Sequence, residues 1–122
     1  MDEYAEDELE KANDALSDAR KLRDVGGTDE AVINRLYYAC FHAAQSVLHT
    51  RGFDPTTHGG VLTLFGREIV SEGDATGDDG RFLNELQSYR LSADYEHTGI
   101  EADIDELFER TEEYINDMKL LF

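Results

Sequence analysis

The chain has 122 residues with 28 acidic and 11 basic side chains, a net charge of −17, and that length suits one domain with a core of its own. No apolar run approaches the ~20 residues that cross a bilayer, and the acidic opening MDEYAEDELEKAND lacks the basic and hydrophobic parts of a secretory signal, so we expect a cytoplasmic chain without a membrane segment. Only Lys11, Lys21 and Lys119 among the basic residues are lysine, and the excess of carboxylates is the balance expected of a salt-rich cytoplasm, where ions screen self-repulsion.

Apolar residues at Ala5, Leu9, Ala12, Leu16 and Ala19 follow the spacing of one helix face until Gly26-Gly27 stops it, which predicts a helix over about 4 to 24. Thr28 is placed to cap a second helix with Asp29 and Glu30 in its first turn, where the helix dipole favours acids. That helix runs to about Arg51 and is apolar over more than half its circumference, through Ile33, Leu36, Tyr37, Cys40, Phe41, Ala44, Val47 and Leu48. It must therefore touch several neighbours and is expected at the centre. The single cysteine, Cys40, falls in this stretch and reads as a small core residue rather than part of a disulfide framework.

The turn GFDPTTHGG holds the only proline and a candidate cap in Thr57, and it leads into VLTLFGREIV, a short amphipathic helix ending near Gly73. SEGDATGDDG reads as a polar loop. Phe82, Leu86, Tyr89 and Ala93 mark a fourth helix ending at Thr98-Gly99, and Ile104, Leu107, Thr111, Tyr114 or Ile115, and Met118 mark a fifth. No stretch alternates as a half-buried strand does. The expectation is an all-α, antiparallel up-and-down bundle of four to five helices, with residues 1–122 forming one domain.

Two polar constellations stand out. Asn34, Tyr38, His42, Gln45 and His49 fall within about 80° of one another on the second helix, one line that could face a common cleft. The plainer reading is a solvent stripe, although the line contains none of the chain's carboxylates. On the fourth helix Arg90, Asp94 and His97 share a face, where Arg90 and Asp94 can pair; the plainer reading there is a surface ion pair beside a histidine near a helix end. Other chemistries lack their residues. A di-iron bundle needs paired Glu-x-x-His motifs where this chain has Asp94-x-x-His97, no cysteine–histidine zinc spacing occurs, and GGTDE lacks the lysine of a phosphate loop. We expect no metal and no cofactor.

The segments NRLYYACFHAAQSVLHTRG, THGGVLTLFGREIV and LNELQSYRLSADY, in that order, with a helix rich in Glu and aromatics after them, resemble the HEPN domains, specifically the small stand-alone archaeal and bacterial kind. The tyrosine pair followed by Phe-His-Ala is the most specific piece, and the resemblance covers nearly the whole chain. It implies a helical bundle that homodimerises and pairs, as toxin with antitoxin, with a minimal nucleotidyltransferase. Active members are metal-independent RNases that use an Arg and a His separated by four to six residues, and that pattern falls here on Arg90 and His97, with six residues between them. A polar residue early in the second helix assists, and Asn34 is its match. By this resemblance Arg90, His97 and Asn34 are the catalytic candidates, with Tyr38, His42, Asp94 and Tyr95 lining the substrate site. The alternative is a non-catalytic helical module that binds a nucleotidyltransferase or a nucleotide through the strip from Asn34 to His49.

Overall fold

The computed structural model describes residues 3–95 and 102–122, and the side chains of all of these but 93–95. The order is α1 (Glu3–Asp24), α2 (Asp29–Thr50), α3 (His58–Leu64) continuing as a π-helical turn (Phe65–Val70), α4 (Gly77–Tyr95) and α5 (Ile104–Leu121). Among the described residues there is no strand. The expected end of the fourth helix at Thr98-Gly99 lies outside the described residues.

The caps explain where the helices begin. Thr28 accepts from the Ala31 N–H at 3.2 Å, Thr57 from Gly60 at 2.9 Å, and Asp103 from Glu106 at 3.2 Å, each satisfying a donor that the first turn leaves without an intrahelical acceptor. Gly26, with φ 77, takes the left-handed conformation that ends α1. The short link it forms folds α1 back on α2. The pairing is antiparallel, since Tyr4 meets His49 and Glu8 meets His42.

α2 is the central helix as expected, touching α1, α3 with its π turn, α4 and α5. All eight apolar residues named on it are buried, and Ala39, Ala43 and Ser46 are buried with them. α1 offers mostly alanine to the core, Ala5, Ala12, Ala15 and Ala19, and such short side chains let two helix axes approach closely. α5 contributes Leu107, Phe108, Thr111, Tyr114, Ile115 and Met118.

Two local expectations need correction. GDDG is not loop but the first turn of α4, closed by a reciprocal cap in which the Asp79 N–H donates to Thr76 Oγ1 at 3.1 Å and the Thr76 N–H donates to Asp79 Oδ2 at 3.4 Å. Gly80 belongs in that turn because a Cβ there would meet Val70 Cγ2 at 3.2 Å, so its absence lets α4 close on the π turn. VLTLFGREIV is helical as expected, yet from Phe65 it widens to a π turn, with Ser71 N–H and Oγ both donating to the Gly66 carbonyl at 3.0 Å. The widening keeps Phe65 and Ile69 together in the core.

Candidate functional site

α2 sets the site because it carries Tyr37 inward and Tyr38 half outward on successive positions. Tyr37 is fully buried, and burial pushes its hydroxyl up to about 12, a rise that the nearby Arg90 cation partly opposes. That hydroxyl is 3.0 Å from Nδ1 of His58, the first residue of α3. The His58 ring stacks on Phe41 with centroids 4.5 Å apart and meets Tyr38 edge to face at 5.7 Å. α4 completes the group with Arg90, whose guanidinium carbon lies 4.9 Å from the Tyr37 ring centroid and 5.9 Å from that of Tyr38. Arg90 Nε donates to Gln87 Oε1 at 3.1 Å. Burial first, then the charges of Arg90 and His42, hold His58 below the ordinary imidazole value.

The residues named from sequence divide between this cluster and its edges. Tyr38 is at its centre, with a second guanidinium, that of Arg35, 5.1 Å from its ring centroid. Asn34 engages its neighbour: its Oδ1 accepts from Arg35 Nε at 3.1 Å and Nη2 at 2.8 Å. His42 lies 6.1 Å from Tyr38 ring to ring, and its Nδ1 is 2.6 Å from Glu8 Oε2 on α1. Farther along, His49 stacks on Tyr4 and sits 3.9 Å from Asp54. The strip from Asn34 to His49 is therefore not one open line. α1 covers its middle, and the carboxylates missing from the strip arrive from Glu8 and Asp54. His97 lies outside the described residues, as do the side chains of Asp94 and Tyr95, so the Arg90–Asp94 pairing is an expectation still.

His58 was missed in the sequence because no spacing rule ties it to Tyr37, 21 residues away. The available signal was a histidine directly after a cap threonine, followed by two glycines.

Chemically, the arrangement joins a guanidinium, a neutral imidazole held by a protonated hydroxyl, and a half-exposed aromatic ring. That combination suits a phosphate-bearing ligand with rings to stack. Among the described residues no group of three or more His, Cys, Asp or Glu side chains is placed to hold a metal ion, and no helix is long and apolar enough to cross a membrane. Two clefts lie away from the cluster: one of about 500 Å³ beside Tyr4, Gln45 and His49, another of about 410 Å³ between α4 and α5 beside Asp79, Tyr114 and Asp117.

Comparison with known proteins shows what the chain is similar to. The HEPN domain family model matches residues 5–121. A Methanocaldococcus jannaschii protein named "Putative toxin MJ0142" is 32% identical over 74% of this chain and 60% of its own length. A second from that organism, "Putative toxin MJ0605", is 37% identical over 71% of this chain and 64% of its own length. A Thermotoga maritima UPF0332 protein is 35% identical over 70% of this chain and 64% of its own. The chain thus spans less than two thirds of each of these relatives.

Proposed function

The chain belongs to the HEPN domain family, and from that premise we propose that it is a toxin-like, metal-independent endoribonuclease whose substrate surface is built around Arg90. The observation that carries the reading is the seating of Arg90, the arginine of the family's Arg…His pattern, against the Tyr37 and Tyr38 rings beside His58. In a molecule of net charge −17, Arg90, Arg35 and His58 gather round one partly buried ring, that of Tyr38, and such a spot selects for an anion that also stacks. An RNA strand lies along a surface, so a ridge of cations and rings serves it better than a deep cavity. The toxin names of two relatives support the same direction.

In this reading the fork of Arg90 holds two phosphate oxygens and stabilises the charge that grows on phosphorus, while His97 exchanges the proton. Asn34 acts by orienting Arg35. Two copies of the chain place their Arg90 and His97 side by side along one groove, and a minimal nucleotidyltransferase is the antitoxin partner. The residues 1–122 function as one HEPN domain in a salt-rich cytoplasm.

The deciding experiment is incubation of purified protein with single-stranded RNA in molar salt and EDTA. Cleavage that leaves 2′,3′-cyclic phosphate ends, abolished in His97→Ala with the circular dichroism unchanged, is the expected result. An inactive wild type, or full activity in His97→Ala, overturns the reading. The non-catalytic alternative would then be preferred. It draws on the cleft beside Gln45 and His49, and substitutions there would abolish nucleotidyltransferase binding.

A further inference from the structure

Metal-free RNA cleavage takes one proton and gives another, and a single imidazole in one protonation state does only one of these at a time. The Arg…His pattern names one histidine. His58 is a second, and its ring is fixed on three sides by Phe41, Tyr38 and the Tyr37 hydroxyl. The titratable and charged groups facing it are Tyr37, Tyr38 and His42 from α2 and Arg90 from α4. A tyrosine hydroxyl accepts as well as donates. When it accepts from Nδ1–H, the Nε2 lone pair is left free in a set direction, the arrangement by which an orienting group prepares a base.

Resting on the ribonuclease reading above, the geometry points to His58 as the base that removes the 2′-hydroxyl proton, with Tyr37 as its positioning residue. In that step the 2′-oxygen bonds to phosphorus while its proton passes to His58 Nε2. The bond from phosphorus to the 5′-oxygen breaks, and the departing oxygen takes a proton from the acid which that reading already supplies. Solvent then removes the proton from His58. Its depressed basicity, set by burial and by Arg90, keeps the ring neutral and ready at pH 7.

Two measurements on the full chain in molar salt test this. The first needs no turnover: an NMR titration of the imidazole signals should place His58 below the ordinary value, and a 3′-nucleoside monophosphate should move it upward as the phosphate arrives beside it. A His58 signal indifferent to the nucleotide overturns the assignment even if RNA is cut, whereas a responsive His58 in a protein that cuts no RNA overturns the ribonuclease reading, and the base role with it, and leaves His58 only a phosphate neighbour. The second is kinetic. His58→Asn leaves an amide N–H near the place of Nδ1 to donate to the Tyr37 hydroxyl but has no basic nitrogen. It should melt close to wild type, lose roughly 10²- to 10³-fold in kcat, and lose the acid limb of the kcat/KM profile. If His58→Asn restores the activity that His58→Ala loses, the residue is structural and the assignment falls.

Discussion

Arg35 is held by an uncharged acceptor. The Asn34 amide oxygen takes two donors of its fork, which fixes the group without cancelling its charge, so the guanidinium beside Tyr38 keeps its pull on an anion. Asn34→Ala should therefore weaken RNA cleavage by ~10- to 100-fold through loss of position while changing the melting temperature little, because both groups are only part-buried. Arg90→Lys should fail outright, since a point charge cannot replace a planar fork seated on two rings. Glu8 behaves differently. Burial alone would raise its pKa, but the His42 hydrogen bond and charge, with help from Lys11, bring it below the usual carboxylate range. A depressed carboxylate stabilises the fold above its unfolded value, and the contribution is lost as pH falls through the folded one. Glu8→Gln should accordingly lower stability at pH 7 by about 1 kcal/mol, and the gap to wild type should close below about pH 4 in urea titrations. The line of Asn34, Tyr38 and His42 was legible in the sequence because helical spacing places it. Its division between the Arg90 cluster and the α1 carboxylate was not, because spacing within one helix says nothing of what a neighbour lays across it.

At the scale of elements, α4 shows both the reach and the limit of periodicity. Phe82 and Leu86 marked its buried face correctly, yet its first turn was hidden because Gly77 and Gly80 carry the composition of a loop. Only the contact with Val70 shows why glycine stands there. The Thr76-x-x-Asp79 cap was the overlooked sequence signal, and Thr76→Ala should cost about 1 kcal/mol. Asp79 itself is 7% exposed. Burial, and then the Asp117 carboxylate of α5, push it up to about 6 from an ordinary 3.8. A raised carboxylate binds its proton in the native state while the unfolded chain has released it, so this pair makes the fold more stable as pH falls from above 6 towards 4. Asp117→Asn removes the opposing charge. It should raise the melting temperature at pH 7.5 and flatten that dependence in calorimetry; a variant no more stable than wild type would mean that burial alone governs Asp79. The π turn was beyond sequence reasoning, because Phe65 and Ile69 fit an α-helical pattern as well as the wider one that they adopt.

Across the whole molecule the question is what holds five helices together at net −17. Arginine bridges their seams. Arg20 meets Glu112 at 3.1 Å and Arg23 meets Asp105 at 3.4 Å between α1 and α5, while Arg110 meets Glu85 at 2.9 Å between α5 and α4. Two of these also lie on aromatic rings, Arg23 at 4.0 Å from the Phe108 centroid and Arg110 at 4.4 Å from that of Phe82. Exposed ion pairs contribute about 0–1 kcal/mol each, too little to offset the mutual repulsion of so many unpaired carboxylates. A guanidinium resting on a ring keeps its packing when salt screens its charge, which gives Arg23 and Arg110 an advantage over lysine in brine. Salt therefore weakens the repulsion more than it weakens the bridges. At 1 M the screening length is about 3 Å, shorter than the spacing between most surface carboxylates, so the fold should gain stability steadily as salt rises from 0.1 M to 2 M. Scattering at the upper concentration should give a particle near twice 13.8 kDa if the paired groove forms. Sodium chloride and potassium chloride should act alike in thermal melts, since screening depends on ionic strength rather than on the ion. A melting temperature indifferent to salt, or one that falls with it, would show that the bridges outweigh the repulsion and that the acidic surface serves a basic partner instead of a saline habitat.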